Sequence, residues 1–158
     1  MGFHVGRRPP SRLPWLTWTA SSESQLGSKA FEIRDLIEGT YDVVVVTDGA
    51  GGRGGAILHN VAAGMKNLAF ALPKGETIEG VVHGPGGETV EFEQVQAYDD
   101  RGICWAIAER ADGAGGANAF RLSGLPAGRY KIVAWLDEEA VTVENVAAPS
   151  TGVVVVAK

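Results

Sequence analysis

One stretch of this chain occurs twice. Residues 31 to 45 read FEIRDLIEGTYDVVV, and residues 120 to 134 read FRLSGLPAGRYKIVA. Phe31 aligns with Phe120, Leu36 with Leu125, Gly39 with Gly128 and Tyr41 with Tyr130, each pair 89 positions apart. Further on, NVAA at 60–63 returns at 145–148, now 85 positions apart. Each copy then has one more apolar or alternating run, NLAFAL at 67–72 and GVVVVA at 152–157. Two blocks in the same order imply two copies of one supersecondary unit. The architecture must therefore suit both copies.

The spacing changes where the glycines are. YDVVVVTDGAGGRGGAILHN, residues 41–60, spells G-x-G-x-x-G with Gly49, Gly51 and Gly54. In a dinucleotide-binding enzyme such a turn follows a strand and opens a helix whose N–H groups hold the pyrophosphate. Glu76 even lies near the spacing of a ribose-binding acid. That reading predicts a helix from about 55 to 67. The second copy argues otherwise. Its loop is only Asp137, Glu138 and Glu139, and AVTVENV at 140–146 alternates as a strand does. The glycine run is accordingly expected to be an extended hairpin loop, where positive φ is common. A fragment of a dinucleotide-binding enzyme is the less favoured alternative.

Residues 75–158 read as seven short strands: 77–83, 89–98 with a phase change near Gln94, 103–110, 118–125, 129–135, 140–146 and 152–157. Gly and Pro turns separate them, which is the pattern of a β-sandwich. The first copy offers 30–36, 40–46, 56–62 and 67–72, and about three strands are missing or degenerate. WLTWTA at 15–20 is the one candidate strand ahead of it. Three parts result: a poorly ordered or degenerate segment, 1–29; a partial sandwich, 30–74; and a complete sandwich, 75–158. The chain reads as a piece of a tandem array or as one with a misplaced start. A truncated sandwich exposes an apolar face and unpaired edges, so it needs a partner or stays partly ordered.

Composition agrees with a packed domain. Of 158 residues, 45% are hydrophobic and 21% charged, enough to build a core. A net charge of -5 with dispersed acids and no basic block argues against nucleic acid. No apolar run reaches membrane-spanning length, so membrane insertion is not expected. Pro9, Pro10 and Pro14 interrupt the N-terminus, and no signal peptide is visible. The single cysteine, Cys104, excludes an intrachain disulfide and reads as a small buried hydrophobe.

No catalytic constellation, cofactor site or metal set emerges. His4, His59 and His83 are isolated in sequence. Asp99 and Asp100 supply oxygens for calcium, but a calcium loop spaces more ligands, so a solvated turn is the plainer account. Asp137 to Glu139 form a charged hairpin tip. Trp105 and Trp135 on predicted strands are the candidate ligand platform, for a sugar or a peptide. Alternation from Tyr130, Ile132 and Ala134 puts Trp135 on the outer face.

The pattern from Phe120 to Ala134, F-x-L-x-x-L-P-x-G-x-Y-x-I-x-A, resembles the carboxypeptidase regulatory-like domain. Gly80 with Val82, and Gly86, Gly87 and Val90, fit the same family. The likeness covers 75–158 well and 30–74 in part. Asp112 and Gly115 or Gly116 sit displaced from the acidic turn that the family carries before its phenylalanine. The resemblance implies an all-β, seven-stranded antiparallel Greek-key-type sandwich of prealbumin-like or Ig-like type, in tandem with an incomplete copy. It also implies a non-catalytic accessory module of a larger extracellular, periplasmic or cell-surface protein, acting as spacer or protein-interaction element. Neighbouring domains, a protein or a carbohydrate are the partners it suggests. Phe31, Leu36, Gly39, Tyr41, Phe120, Leu125, Gly128 and Tyr130 then have structural roles: glycines for a sharp turn, leucines plugging the end, tyrosines tying the corner.

Overall fold

The computed structural model describes residues 2–7, 18–23, 32–34, 36–47, 49, 52–109, 116, 118–137 and 139–157. For 2–7 and 18–23 only the backbone is considered. The described chain is all-β. Two strands precede the first block, β1 (Gly2–Arg7) and β2 (Trp18–Glu23). The block itself supplies β3 (Thr40–Val46) and β4 (Ala56–Ala62). The second block runs through β5 (Glu76–His83), β6 (Gln94–Tyr98), β7 (Cys104–Glu109) and β8 (Ala119–Leu125). It ends with β9 (Gly128–Trp135), β10 (Ala140–Ala148) and β11 (Ser150–Val156).

Strands β5 to β11 form a two-sheet sandwich. One sheet has the order β10-β9-β6-β7 and the other β11-β5-β8. Alternate residues of each strand point inward, as strand geometry requires. Ile78 and Val82 of β5, Leu122 of β8, Val155 of β11, and Val95, Ala97, Ile132 and Ala134 of the facing sheet are all fully buried. They share one core cluster, so the two sheets pack face to face. Most pairings are antiparallel. One is not: β11 runs parallel to β5, because the first and last strands of the unit are neighbours in one sheet.

The first block builds a second four-stranded sheet, ordered β2-β1-β3-β4. A single strand at 15–20 was the expectation for the N-terminal segment. The backbone instead makes two strands, and β1 pairs along β3 with Phe3 opposite Val45 and Val5 opposite Val43. One face of β3, carrying Tyr41 and Val43, gathers a small cluster with Val61. The other face turns Val44, with Val46 and Ile57, into the main core.

The repeat extends to hydrogen bonds and backbone angles. The Tyr41 hydroxyl donates to the Ile37 carbonyl at 2.7 Å, and the Tyr130 hydroxyl donates to the Pro126 carbonyl. Both partners lie four residues upstream, as in a tyrosine corner. Asn60 and Asn145 adopt positive φ, 59° and 64°, in bulges of β4 and β10. Asparagine tolerates that region better than most residues.

Four expectations need correction. Neither 32–34 nor 65–73 forms a strand, although 30–36 and 67–72 read as strands; residues 30, 31 and 35 lie outside the described set. Their counterparts β8 and β11 each pair with β5, and the described first block has no strand in that position. Residues 89–93 are not part of β6; the phase change near Gln94 is where the strand begins. Residues 56–62 are strand, as the repeat predicts, and the helix that the dinucleotide alternative requires is not there. Gly128 does not need to be glycine for its turn: its φ is outside the left-handed region, and a Cβ would meet only the Tyr130 ring at 3.7–3.9 Å.

The glycines that do matter join the two halves. A Cβ on Gly55 would collide with the Trp105 ring and stand 2.6 Å from the Val45 carbonyl oxygen. Gly49 has φ of 76° and a Cβ there would lie 2.6 Å from that of Ser123. The Gly55 N–H donates to the Gly124 carbonyl at 2.9 Å. Thus Gly49, Gly54 and Gly55 pack closely against the second sandwich, while Gly52 faces open space. Gly55→Ala is expected to destabilise the protein by about 3 kcal/mol, the upper end of overpacking costs. Gly128→Ala should change stability by less than about 0.5 kcal/mol. Urea unfolding of both variants checks the contrast.

Candidate functional site

The two candidate tryptophans have opposite fates. Trp105 lies where the β6–β7 pairing is irregular, between the Ala97–Ala106 and Tyr98–Cys104 pairs. It is 2% exposed, so it is not a ligand platform. Its ring covers Gly55, and its indole N–H donates to Asp99 Oδ2 at 3.0 Å. Alternation alone could not report this, because the irregular pairing changes which way the side chain faces.

Asp99 is the hub of that corner. Oδ1 accepts the backbone N–H groups of Arg101 (3.0 Å) and Ile103 (2.9 Å). Oδ2 accepts Arg101 Nε (3.0 Å), Arg101 Nη2 (2.7 Å) and Trp105 Nε1. Both oxygens are committed to N–H donors, so Asp99 is neither a calcium ligand nor a solvated turn residue. It anchors the turn, with its side chain only 10% exposed. Asp100 beside it is 95% exposed. Among the described residues no three His, Cys, Asp or Glu side chains are grouped to hold a metal ion. His59 lies 3.0 Å from the buried Asp42 carboxylate, and His83 lies 3.4 Å from the Glu88 carbonyl. His59 and His83 thus have separate structural neighbours, and the side chain of His4 lies outside the described set.

Trp135 is 41% exposed at the end of β9, on the outer face of the four-stranded sheet. Register places its neighbours. Trp135 stands opposite Gln94, Val133 opposite Gln96, and Lys131 opposite Tyr98; Gln96 in turn stands opposite Ile107. Gln96 Oε1 accepts two donors, the Trp135 indole N–H at 2.9 Å and the Tyr98 hydroxyl at 2.6 Å. That fixes the amide and satisfies the polar ends of both rings, leaving ring area for contact. Lys131 Nζ lies 5.8 Å from the Tyr98 ring centroid, within cation–π range. Ile107, 57% exposed, extends the apolar strip. Val95 and Ala97 are buried in β6, so Gln96 and Tyr98 between and after them face outward. That alternation does not put them beside Trp135, which depends on strand order.

Cys104 sits half-buried at the foot of this strip. Burial pushes its thiol from 9.0 up to about 11, against the lowering effect of hydrogen bonds to Ala106 and Tyr98. Burial, followed by the neighbouring Cys104, also raises the Tyr98 hydroxyl. Burial, then the Asp99 charge, raises Tyr130.

No protein-family model, no curated protein and no solved structure matches this chain. Two outcomes follow from the site itself. Trp105→Ala should cost about 3–5 kcal/mol, as large aromatic truncations in cores do. Trp135→Ala should cost under about 1 kcal/mol in the same thermal unfolding assay. For Cys104, the rise from 9.0 to about 11 cuts the thiolate fraction about 100-fold at neutral pH, so alkylation of the folded protein should slow by about that factor. Above pH 9.0 an unfolded thiol ionises while the folded one keeps its proton up to about 11. The unfolded state then binds fewer protons, so stability should fall as pH rises through that window. Urea midpoints from pH 8 to 9.5, below the range where the raised Tyr98 and Tyr130 hydroxyls contribute, check the sign, with Cys104→Ser as the control that flattens the trend.

Proposed function

We propose that this chain is a non-catalytic β-sandwich module of the carboxypeptidase regulatory-like kind, a spacer and interaction element within a larger exported or cell-surface protein. Its working surface is the outer face around Trp135, and its partner is the neighbouring domain. One observation carries the reading. In the first block the equivalent face is already an interface. Asp42, Val44 and Val46 occupy the repeat positions of Lys131, Val133 and Trp135. Val44 and Val46 pack into the core of the second sandwich, whereas Trp135 is exposed. An interface that joins unlike surfaces can repeat from one unit to the next, and the same face of the second block is open to a further unit.

The chemistry of the open face suits docking of this sort. It exposes apolar surface at Trp135 and Ile107, with one cation at Lys131 and a held amide at Gln96. Its rim differs from that of the first block. Asp137 and Glu139 replace the glycines, so the next unit approaches over the sheet and not over the loop tip.

Carbohydrate binding is the second reading, favoured by the exposed indole next to a fixed amide. Trp135 would stack on a sugar ring while Gln96 meets its hydroxyl groups.

A chain with residues 73–158 appended directly after Ala157 tests the first reading. It sets a further module after the second sheet as the natural chain sets one after the first. Acrylamide quenching of Trp135 fluorescence, read with every other tryptophan (Trp15, Trp18, Trp105 and both tryptophans of the appended copy) replaced by Phe, should fall at least twofold. Unchanged quenching sinks the docking reading. Saturable binding of a soluble oligosaccharide, lost in Trp135→Ala, would establish the second in its place.

A further inference from the structure

The inner face of the first sheet poses a separate question, independent of the outer-face reading. The two blocks correspond strand for strand in their four-stranded sheets and differ in the sheet that faces each. The order β2-β1-β3-β4 is matched by β7-β6-β9-β10. Phe3 and Val5 stand opposite Val45 and Val43, as Val95 and Ala97 stand opposite Ala134 and Ile132. The tyrosine corners and the bulge asparagines coincide. The entry to the last run coincides too: Asn67 and Gly152, 85 positions apart, have φ of 59° and 71°. What the described first block lacks is β5.

In the second block β5 is the central strand of its sheet, antiparallel to β8 and parallel to β11. Its Ile78 and Val82 are completely buried, and so are Leu122, Leu125 and Val155 around them. The first-block counterparts of these three are Ile33, Leu36 and Phe70, and all are only partly buried. Where β5 would lie there is a cavity of about 580 Å³, with Ile33, Leu36, Tyr41, Val43, Val61 and Leu68 on its apolar side and Glu32, Lys66 and Asn67 among its polar lining. The fold itself thus shows what covers this face when the unit is complete.

We infer that this groove is a receptor for one extended strand of the β5 type. The strand would run between the segment of Ile33 and Leu36 and that of Leu68 and Phe70, antiparallel to the first and parallel to the second. Backbone pairing supplies affinity and alternate side chains supply selectivity, as in other strand-addition complexes. The occupant carries apolar β-branched residues on alternate positions, to meet Ile33, Leu36, Val43 and Leu68, while Glu32, Lys66 and Asn67 also line the groove. It carries glycine at the centre, where Gly80 stands in β5. A Cβ on Gly80 would collide with the Val153 carbonyl and lie 2.5 Å from the Phe120 ring. Phe31 repeats Phe120 in sequence, and its own placement lies outside the described residues.

The test uses the full chain and a labelled peptide, GETIEGVVHG, the sequence of residues 75–84. Fluorescence anisotropy should show saturable one-to-one binding, and hydrogen exchange should slow at 32–37 and 66–71 but not at 150–156. Replacing the peptide's Ile and both Val by Asp should abolish binding. Leu68→Asp or Ile33→Asp in the protein should weaken it at least tenfold, while the melting of the second sandwich is kept. Absence of binding up to about 1 mM, where ordinary weak association is already detectable, would overturn the inference. So would protection at 150–156, which would mean exchange with β5 itself. A concentration-dependent dimer that the peptide fails to dissolve would assign the groove to a second copy and equally overturn it.

Discussion

The position of β5 decides the difference between the two halves of this protein. It is central in its sheet, and β8 and β11 each reach the sheet by pairing with it. Where it is present, leucines and valines on both flanks are fully buried. In the described first block no strand occupies that position, and the same flanking sequences are not strands. A backbone segment gains little from extending alone, since a strand is stabilised by cross-strand partners. Strand propensity at 30–36 and 67–72 is therefore not sufficient. The partner is.

The four-stranded sheets do not share that dependence. Each is held by local chemistry that both copies carry. A tyrosine hydroxyl reaches a carbonyl four residues back, an asparagine takes positive φ in a bulge, and valines alternate across the sheet. These devices act within a hairpin or a corner, so they survive when the opposite sheet is incomplete. The two blocks are alike where their bonds are local and differ where they need a distant strand.

The junction between the halves uses a different resource, the absence of side chains. Gly49, Gly55 and Gly124 let backbone approach backbone, and Trp105 closes over the joint. Trp105 is tied in turn to Asp99, whose carboxylate gathers the N–H groups of its own turn. The same tryptophan that suggests a ligand platform in a linear reading is a structural plug. Its counterpart in role, Trp135, stays on the surface because its strand position faces away from the facing sheet.

Much of this was legible in the sequence. The repeat, the all-β class, the strands of the second block and the outward direction of Trp135 come from periodicity and from turn residues, which are local properties of the chain. So does the rejection of a nucleotide loop, since the second copy shows that the glycine run is followed by a strand. Tertiary structure alone decided the rest. It set the burial of Trp105, because an irregular pairing reversed its facing. It set the pairing of Gln96 with Trp135 and Tyr98, because strand order is not sequence order. It gave Asp99 its five donors and the glycines their close contacts. It also left 32–34 and 65–73 unpaired as strands, because a sheet is a property of neighbours and not of any one segment.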